Sequence, residues 1–446
     1  MPDLSRQLAD FLAAARFADL SPTVVEHTKR AVLDWLGSAL AGSLESPARM
    51  ARQYVASLGV SDEATLFPKG RSSASGAALA NGVASHILEF DDIHKTSTVH
   101  AGAPVISAAL AVAERERVDG RAFLLATALG YEAALRIGEA VNPSHYRYWH
   151  PTGTAATFGA AAAAGSLMGL DAAQMLDALG SAGTQAAGLW EFNADGAMSK
   201  HLHPGKAAFN GILAADLARI GFTGATRILE GERGFFRAMS AAYDESRITQ
   251  GLGERWKIAE NCYKLHACCG HTHTAIDVAL ALGVPADSIA QIAIETYGPG
   301  YEIVKELAPR TSYQAKFSIA YCVAAAVTDG CVGLEQFSAE RMRDATIARL
   351  LERVQVVVAE DLTAKYPAAW PARVTLTLAS GATVSRSSDY PRGNPENPVF
   401  TAELEEKFRC LVAPRFGAAA AQRALEAVQS LETCENISSV FRDLVT

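Results

Sequence analysis

The chain has 446 residues, 49% of them hydrophobic and 20% charged, with a formal net charge of −8. That length exceeds one ordinary core, so two domains are expected, and the composition is that of a folded globular protein. The acidic balance, with no run of Lys or Arg, argues against nucleic acid as a partner; an anionic substrate would need local basic residues to hold it.

The N-terminus carries charges throughout and lacks the continuous apolar core of a signal segment. The most apolar stretches, 105–113 and 155–168, are too short or too rich in Ala and Gly to span a bilayer, so no membrane association is expected. The 7 cysteines are irregularly spaced and imply reduced thiols and a cytoplasmic setting, not a disulfide framework.

Helical periodicity dominates as far as about residue 250. Ser21-Pro22 reads as an N-cap followed by Pro at the first helical position. Further helices are predicted over 76–90, 103–114, 121–140, 152–168, 172–188 and 206–220. Many are rich in Ala and Gly, as in a tightly packed, largely buried bundle. After about residue 265 the pattern changes. Short β-branched runs at 289–297 and 354–358 and a hairpin over 373–387 alternate with helices at 274–282, 316–329 and 339–351. Helical period returns from Thr401. The expected organisation is an all-helical domain, 1–265 plus 400–446, and an α+β domain, 266–399.

The 11 histidines are the informative residues. Only His27 stands apart, on an ordinary amphipathic helix. In the stretch His86-Ile-Leu-Glu-Phe-Asp-Asp-Ile-His94 to His100, a helix ends in Glu89, Asp91 and Asp92. Acids at a helix C-terminus oppose the macrodipole, and a local rule broken without structural gain points to function. These acids either ligate a divalent cation or orient His100 and tune its basicity. His145 and His150 precede a long Ala/Gly helix that Thr152 or Thr154 can cap, leaving free N–H groups for a carboxylate. Lys200, His201, His203 and Lys206 precede another helix, with the lysines as carboxylate clamps or proton carriers. In Lys264-Leu-His-Ala-Cys-Cys-Gly-His-Thr-His273, the Cys/His spacing could bind zinc but is not a standard zinc pattern.

Six ordered segments, spread from His86 to Phe408, resemble the MmgE/PrpD family: HILEFDDIH with HAGAPVISAALA, HPTGTAATFGAAAAAGSLMGL, SKHLHPGKAAFNG, KLHACCGHTHTAIDVAL, YQAKFSIAYCVAAAVTDG and GNPENPVFTAELEEKF. The resemblance implies a mainly α fold, a large all-helical domain with a smaller α+β lid, a homodimer, and no metal or organic cofactor. It implies proton abstraction next to a carboxylate of a small polycarboxylic acid. By matched position it assigns catalytic roles to His100, His150, Lys200 and Tyr321, and Asp92 is expected beside them as an acid that tunes His100. It places Glu89, His203 and either Cys269 or His273 against the substrate.

Three departures stand in the first segment: Ile93 replaces a Thr, the loop before His100 is one residue longer, and Ala-Gly follows His100 in place of Pro-Ser. Within the family the chemistry is that of an epimerase (iminodisuccinate), a dehydratase (2-methylcitrate) or a decarboxylase (cis-aconitate). The chain's length tips the expectation toward the epimerase, with the lyases as the alternative.

Overall fold

The computed structural model describes residues 3–442 and 444. Its contacts divide the chain into two units: Met1–Ile87, Asp91–Asn261 and Phe400–Thr446 form the first, and Leu88–Phe90 with Cys262–Val399 form the second. Glu89 therefore belongs to the second unit, although the sequence pattern runs it on from the helix before it.

Among its described residues the first unit is mainly helical, with a two-residue ladder of β1 (Ala64–Thr65) and β2 (Arg71–Ser72). The Pro22–Gly42 helix starts as expected, with the Ser21 side chain accepting the Val24 N–H. The helices Gly102–Glu116, Gly120–Val141 and Ala155–Leu167 are buried along nearly their whole length. The Ala155–Leu167 helix has no charged residue and is buried on all sides, whereas Gly120–Val141 buries a polar row of Glu132, Arg136 and Glu139 by pairing Arg136 with Glu132 and Lys257 with Glu139.

Close approach needs small residues. A Cβ on Gly159 would sit 2.5 Å from the Gly130 carbonyl oxygen, and one on Gly82 would sit 2.8 Å from Gly205 Cα. The second pair sets the Ala74–His86 helix backbone-to-backbone on the Ser199–Arg219 helix. These two helices carry His86 and the Lys200–His203 cluster.

The second unit holds a sheet in the order β4 (Val354–Val358), β3 (Ile289–Thr296), β5 (Ala372–Leu378), β6 (Thr383–Ser388). β3 and β4 are parallel and the other neighbours antiparallel. The expected hairpin is β5–β6, with Leu376 opposite Val384. The Gly270–Leu282 helix packs on the Ile319–Asp329 helix and on β5 and β6. Among the described residues no helix is long and apolar enough to cross a membrane.

Several expected boundaries are corrected. The helix predicted over 76–90 runs from Ala74 and stops at His86, because Glu89 adopts a positive φ of 56° that no right-handed helix accommodates. The helix predicted over 206–220 begins at Ser199 and runs through Pro204, so Lys200 and His203 lie in its first turns and not in a preceding loop. The helix predicted over 152–168 is Ala155–Leu167, and that over 172–188 ends at Gly183. The 316–329 segment is broken at Phe317, and Ser318 caps the Ile319–Asp329 helix by accepting the Tyr321 N–H. Of 339–351 only Ala345–Leu351 is α-helical, capped by Asp344.

The glycine contact gives a test. Gly205→Ala places a Cβ on the Leu79 carbonyl oxygen, a rigid backbone atom. This overpacking is expected to cost about 1–3 kcal/mol and to lower both melting temperature and activity. Gly165→Ala, whose Cβ would meet the flexible Met175 side-chain end at 3.0 Å, is expected to be tolerated. Thermal melts of the two variants check the contrast.

Candidate active site

Five histidines of the first unit, His86, His100, His150, His201 and His203, gather although their segments are distant in sequence. The His86 ring centroid lies 4.8 Å from that of His100, 5.6 Å from His150 and 6.4 Å from His201. His100 and His150 are 6.1 Å apart, and His150 and His203 5.3 Å. Lys200 is 2% exposed and acts electrostatically on both His150 and His203.

Each member is placed by its own backbone. The loop before His100 is closed by the His94 N–H donating to the Val99 carbonyl at 2.9 Å. The His100 N–H donates to Thr152 Oγ1 at 3.0 Å, and its Nδ1 lies 2.7 Å from the Asp92 carbonyl oxygen. That carbonyl can only accept, so Nδ1 carries the proton of the neutral ring and Nε2 its lone pair. The His150 N–H donates to the Gly188 carbonyl at 2.9 Å, and the Trp190 ring packs 5.1 Å from the imidazole. Thr152 and Thr154 do not cap the helix that follows. Thr152 holds His100, and Thr154 Oγ1 pairs with His145 Nε2 at 2.8 Å.

His150 and His203 meet through Nδ1 atoms 3.0 Å apart, which requires one proton between them. Burial, then the charges of His203, Lys200, His86 and His100, hold His150 well below its ordinary value. Burial, then His86, Lys206 and Lys200, push His203 down to about 3. Both rings are therefore neutral at neutral pH, and a neutral imidazole is a base. Lys206, expected as a second clamp, instead donates to the carbonyls of Gln185 and Ala187.

The two aspartates divide their work. Asp91 Oδ2 lies 2.6 Å from His86 Nδ1 and 3.4 Å from His100 Nδ1. Asp92 accepts from Tyr131 Oη at 2.6 Å, Asn261 Nδ2 at 2.8 Å and the Gly102 N–H at 3.1 Å. Burial, then the charge of Asp34, push the Asp92 carboxyl up to about 7; the Tyr131 and Asn261 hydrogen bonds pull the other way. A half-turn of the Asn261 amide would set its Oδ1, buried without a partner, against Asp92, as a protonated carboxyl requires.

The remaining predicted residues lie in the second unit. Glu89 is 3.9 Å from Lys264 Nζ, and its charge and that of Cys269 both act on Tyr313. His273 is buried, with Nε2 3.2 Å from the Cys268 carbonyl oxygen and its ring 5.0 Å from His266. Tyr321 donates its hydroxyl proton to the Gln336 carbonyl at 2.6 Å, and burial raises its pKa above the ordinary tyrosine range.

The zinc alternative for 268–273 finds no support: among the described residues no three of its donors bring ligand atoms within 4.8 Å of one another, and His271 pairs with Tyr297 instead. Among the described residues, His86/Asp91/His100 and His94/Glu139/Glu260 bring ligand atoms within 4.8 Å. In the first group, the 2.6 Å between His86 Nδ1 and Asp91 Oδ2 is a hydrogen bond and leaves no ion between them. In the second, Lys257 Nζ already neutralises the acids, 2.8 Å from Glu139 and 3.4 Å from Glu260.

Sequence reasoning gave no role to Tyr131 or Asn261; it set His86 and His201 in the histidine clusters and read Asp91 as a cation ligand or as a partner of His100, without assigning any of the three to the site. For His86 and Asp91 the available signal was a His and an acid five residues apart across a helix end.

The fold and site define a mainly helical protein with a buried acid–base cluster. The chain matches the MmgE/PrpD N-terminal domain over residues 6–247 and the MmgE/PrpD C-terminal domain over residues 266–433. It belongs to the MmgE/PrpD family. It is 28% identical to the cis-aconitate decarboxylase of Homo sapiens over 457 residues, covering 98% of this chain and 94% of that protein. It is 26% identical to that of Mus musculus, covering 99% and 93%. It is 27% identical to that of Aspergillus terreus, covering 88% and 86%.

Two predictions follow from this geometry. Activity is expected to survive exhaustive chelation; stoichiometric zinc whose removal abolishes turnover would overturn the donor assignments above. The second concerns Asp92, whose folded value of about 7 lies above the ordinary 3.8. Its stabilising contribution is complete below the unfolded value and is lost as pH rises through the folded one. Asp92→Asn, which mimics the protonated group, is therefore expected to gain melting temperature relative to the parent between pH 5 and pH 8. A difference that stays flat across that range would place the Asp92 proton elsewhere.

Proposed function

We propose that the protein is a cofactor-independent lyase that decarboxylates a small unsaturated polycarboxylic acid of the cis-aconitate type. The observation that carries this reading is the likeness to cis-aconitate decarboxylases over nearly the whole chain. The epimerase expectation rested on chain length. Length does not separate the two, since the chain covers 94% of the human decarboxylase.

In the proposed reaction the C–C bond to one carboxylate breaks and CO2 leaves. The bonding pair stays on the carbon chain, conjugated with the double bond and a remaining carboxylate. A proton taken up at a chain carbon completes an isomeric alkene with one carboxylate fewer. This needs a cation beside the carboxylate that gathers charge and a group that delivers the proton. Lys200 suits the first role. His100 and His150, held at Nδ1 by the Asp92 carbonyl and by His203, suit the second as relays, each ring taking up a proton that derives from water before handing it to the carbon. His203 sets the tautomer of His150. Asp92 is a positioning residue, since its carbonyl orients His100 and its carboxyl accepts the Gly102 N–H. The Ala-Gly that follows His100 fits this arrangement, because a Cβ on Gly102 would sit 2.9 Å from Asp92 Oδ1.

Glu89, Cys269, His273 and Tyr321 belong to the same proposal as residues that bind or protonate substrate. A homodimer belongs to it too. The exposed Met50, Tyr54 and Leu58, spaced four apart, form an apolar stripe of the kind a second copy covers.

Incubation with cis-aconitate in D2O is expected to release CO2 and leave one deuterium in the unsaturated dicarboxylate product. Deuterium at Cα of an aminodicarboxylate with inverted configuration, and no CO2, would establish the epimerase instead. Lys200→Ala is expected to lower turnover per folded molecule at least roughly tenfold, since losing one charged partner of a buried anion costs about 2–5 kcal/mol. Turnover unchanged at a lowered melting temperature would reduce Lys200 to a structural residue.

A further inference from the structure

His86 stands at the centre of the cluster, yet no step above uses it. It is completely buried, with a relative exposure of 0%. It closes the Ala74–His86 helix, whose backbone contact at Gly82 fixes it against the Ser199–Arg219 helix. Its Nδ1 is 2.6 Å from Asp91 Oδ2, which sets the ring plane and keeps a proton on that nitrogen. Its Nε2 is buried with no hydrogen-bond partner.

An unpartnered buried nitrogen is costly, and native structures keep such groups only for a reason. Packing does not supply one here. The neighbours are themselves polar rings: His100 edge-on, His150 stacked and His201 edge-on. An apolar side chain of the same shape would fill the space without the penalty.

An imidazolium donates from both nitrogens, so a ring held by a carboxylate at Nδ1 and open at Nε2 can be bracketed by a second carboxylate. The other charged or titratable groups facing it are His100, His150 and His201 by ring contact and His203 by its charge. Asp91 is the acid among them, and its Oδ2 is taken up by His86 and His100. An anion arriving at Nε2 therefore meets rings and no competing carboxylate among these groups.

We infer that His86 is a substrate-binding residue whose Nε2 anchors one carboxylate of the acid, with Asp91 behind it as the positioning group. The inference rests on the polycarboxylate reading above and adds the residue that holds one of the carboxylates. The remaining carboxylates are left to Lys200 and to the reacting end, so His86 governs which acids bind more than how fast they react.

The test uses the whole chain and three unreactive probes: propane-1,2,3-tricarboxylate, glutarate, which lacks the central carboxylate, and methylsuccinate, which lacks a terminal one. Calorimetry compares the parent protein with His86→Gln, with a thermal melt to confirm folding. His86→Gln is expected to bind the tricarboxylate about 10- to 100-fold more weakly, the range for a hydrogen bond to a charged group. For one of the two dicarboxylates the parent and variant are expected to bind alike, because the anchored group is gone from the ligand. An equal loss for all three probes would mean that the substitution merely damages the site. Unchanged tricarboxylate affinity would likewise overturn the inference. If His86→Gln fails to fold, Asp91→Asn keeps the ring and its packing and carries the same expected ligand pattern. If the parent binds none of the probes, the polycarboxylate reading falls and the anchor falls with it, an outcome distinct from the two above.

Discussion

The geometry of the first unit depends on the contact between Gly82 and Gly205. A Cβ on either would overlap backbone atoms of the other helix, and backbone cannot yield as a side chain can. The contact lies one turn before His86 and just beyond His203. Its closeness therefore sets how near the rings of the two helices come. The Gly130–Gly159 contact does the same between the Gly120–Val141 and Ala155–Leu167 helices. The abundance of Ala and Gly in these helices is thus a requirement of distance: larger residues would preserve the helices and separate the side chains they carry.

Electrostatics then decides what the gathered residues can do. A chain of net charge −8 assembles Lys200 and several histidines in a dry space. Burial and mutual repulsion keep His150 and His203 neutral. Their neutrality makes them bases and avoids a buried cluster of uncompensated positive charge. Asp91 faces the rings, while Asp92 is turned into Tyr131, Asn261 and Gly102. Two adjacent acids thus acquire different roles because successive side chains on an irregular backbone point in different directions. The left-handed backbone at Glu89 separates the third acid from both, and Glu89 groups with Lys264 in the second unit. Holding a non-glycine residue there costs about 1–3 kcal/mol, a strain typical of functional turns.

The amino-acid sequence by itself determined the mainly helical class, the change to β-branched runs after residue 265 and the β5–β6 hairpin. All three follow from local periodicity and turn chemistry. It also marked His100, His150 and Lys200 by their motifs. Tertiary structure decided the rest. The sequence pattern carried one helix on to residue 90, but the chain turns after His86 so that His86 can meet Asp91, a contact with no periodic signature. It began another helix at 206, yet that helix runs through Pro204 from Ser199, because packing against the Ala74–His86 helix outweighs what a proline costs there. Thr152 looked like a helix cap, but its hydroxyl is taken by the His100 backbone from a segment some fifty residues away. The pairing of His150 with His203 and the open Nε2 of His86 were equally hidden. Both are properties of remote segments brought together, and the distance between such segments is set by packing, which local sequence does not encode.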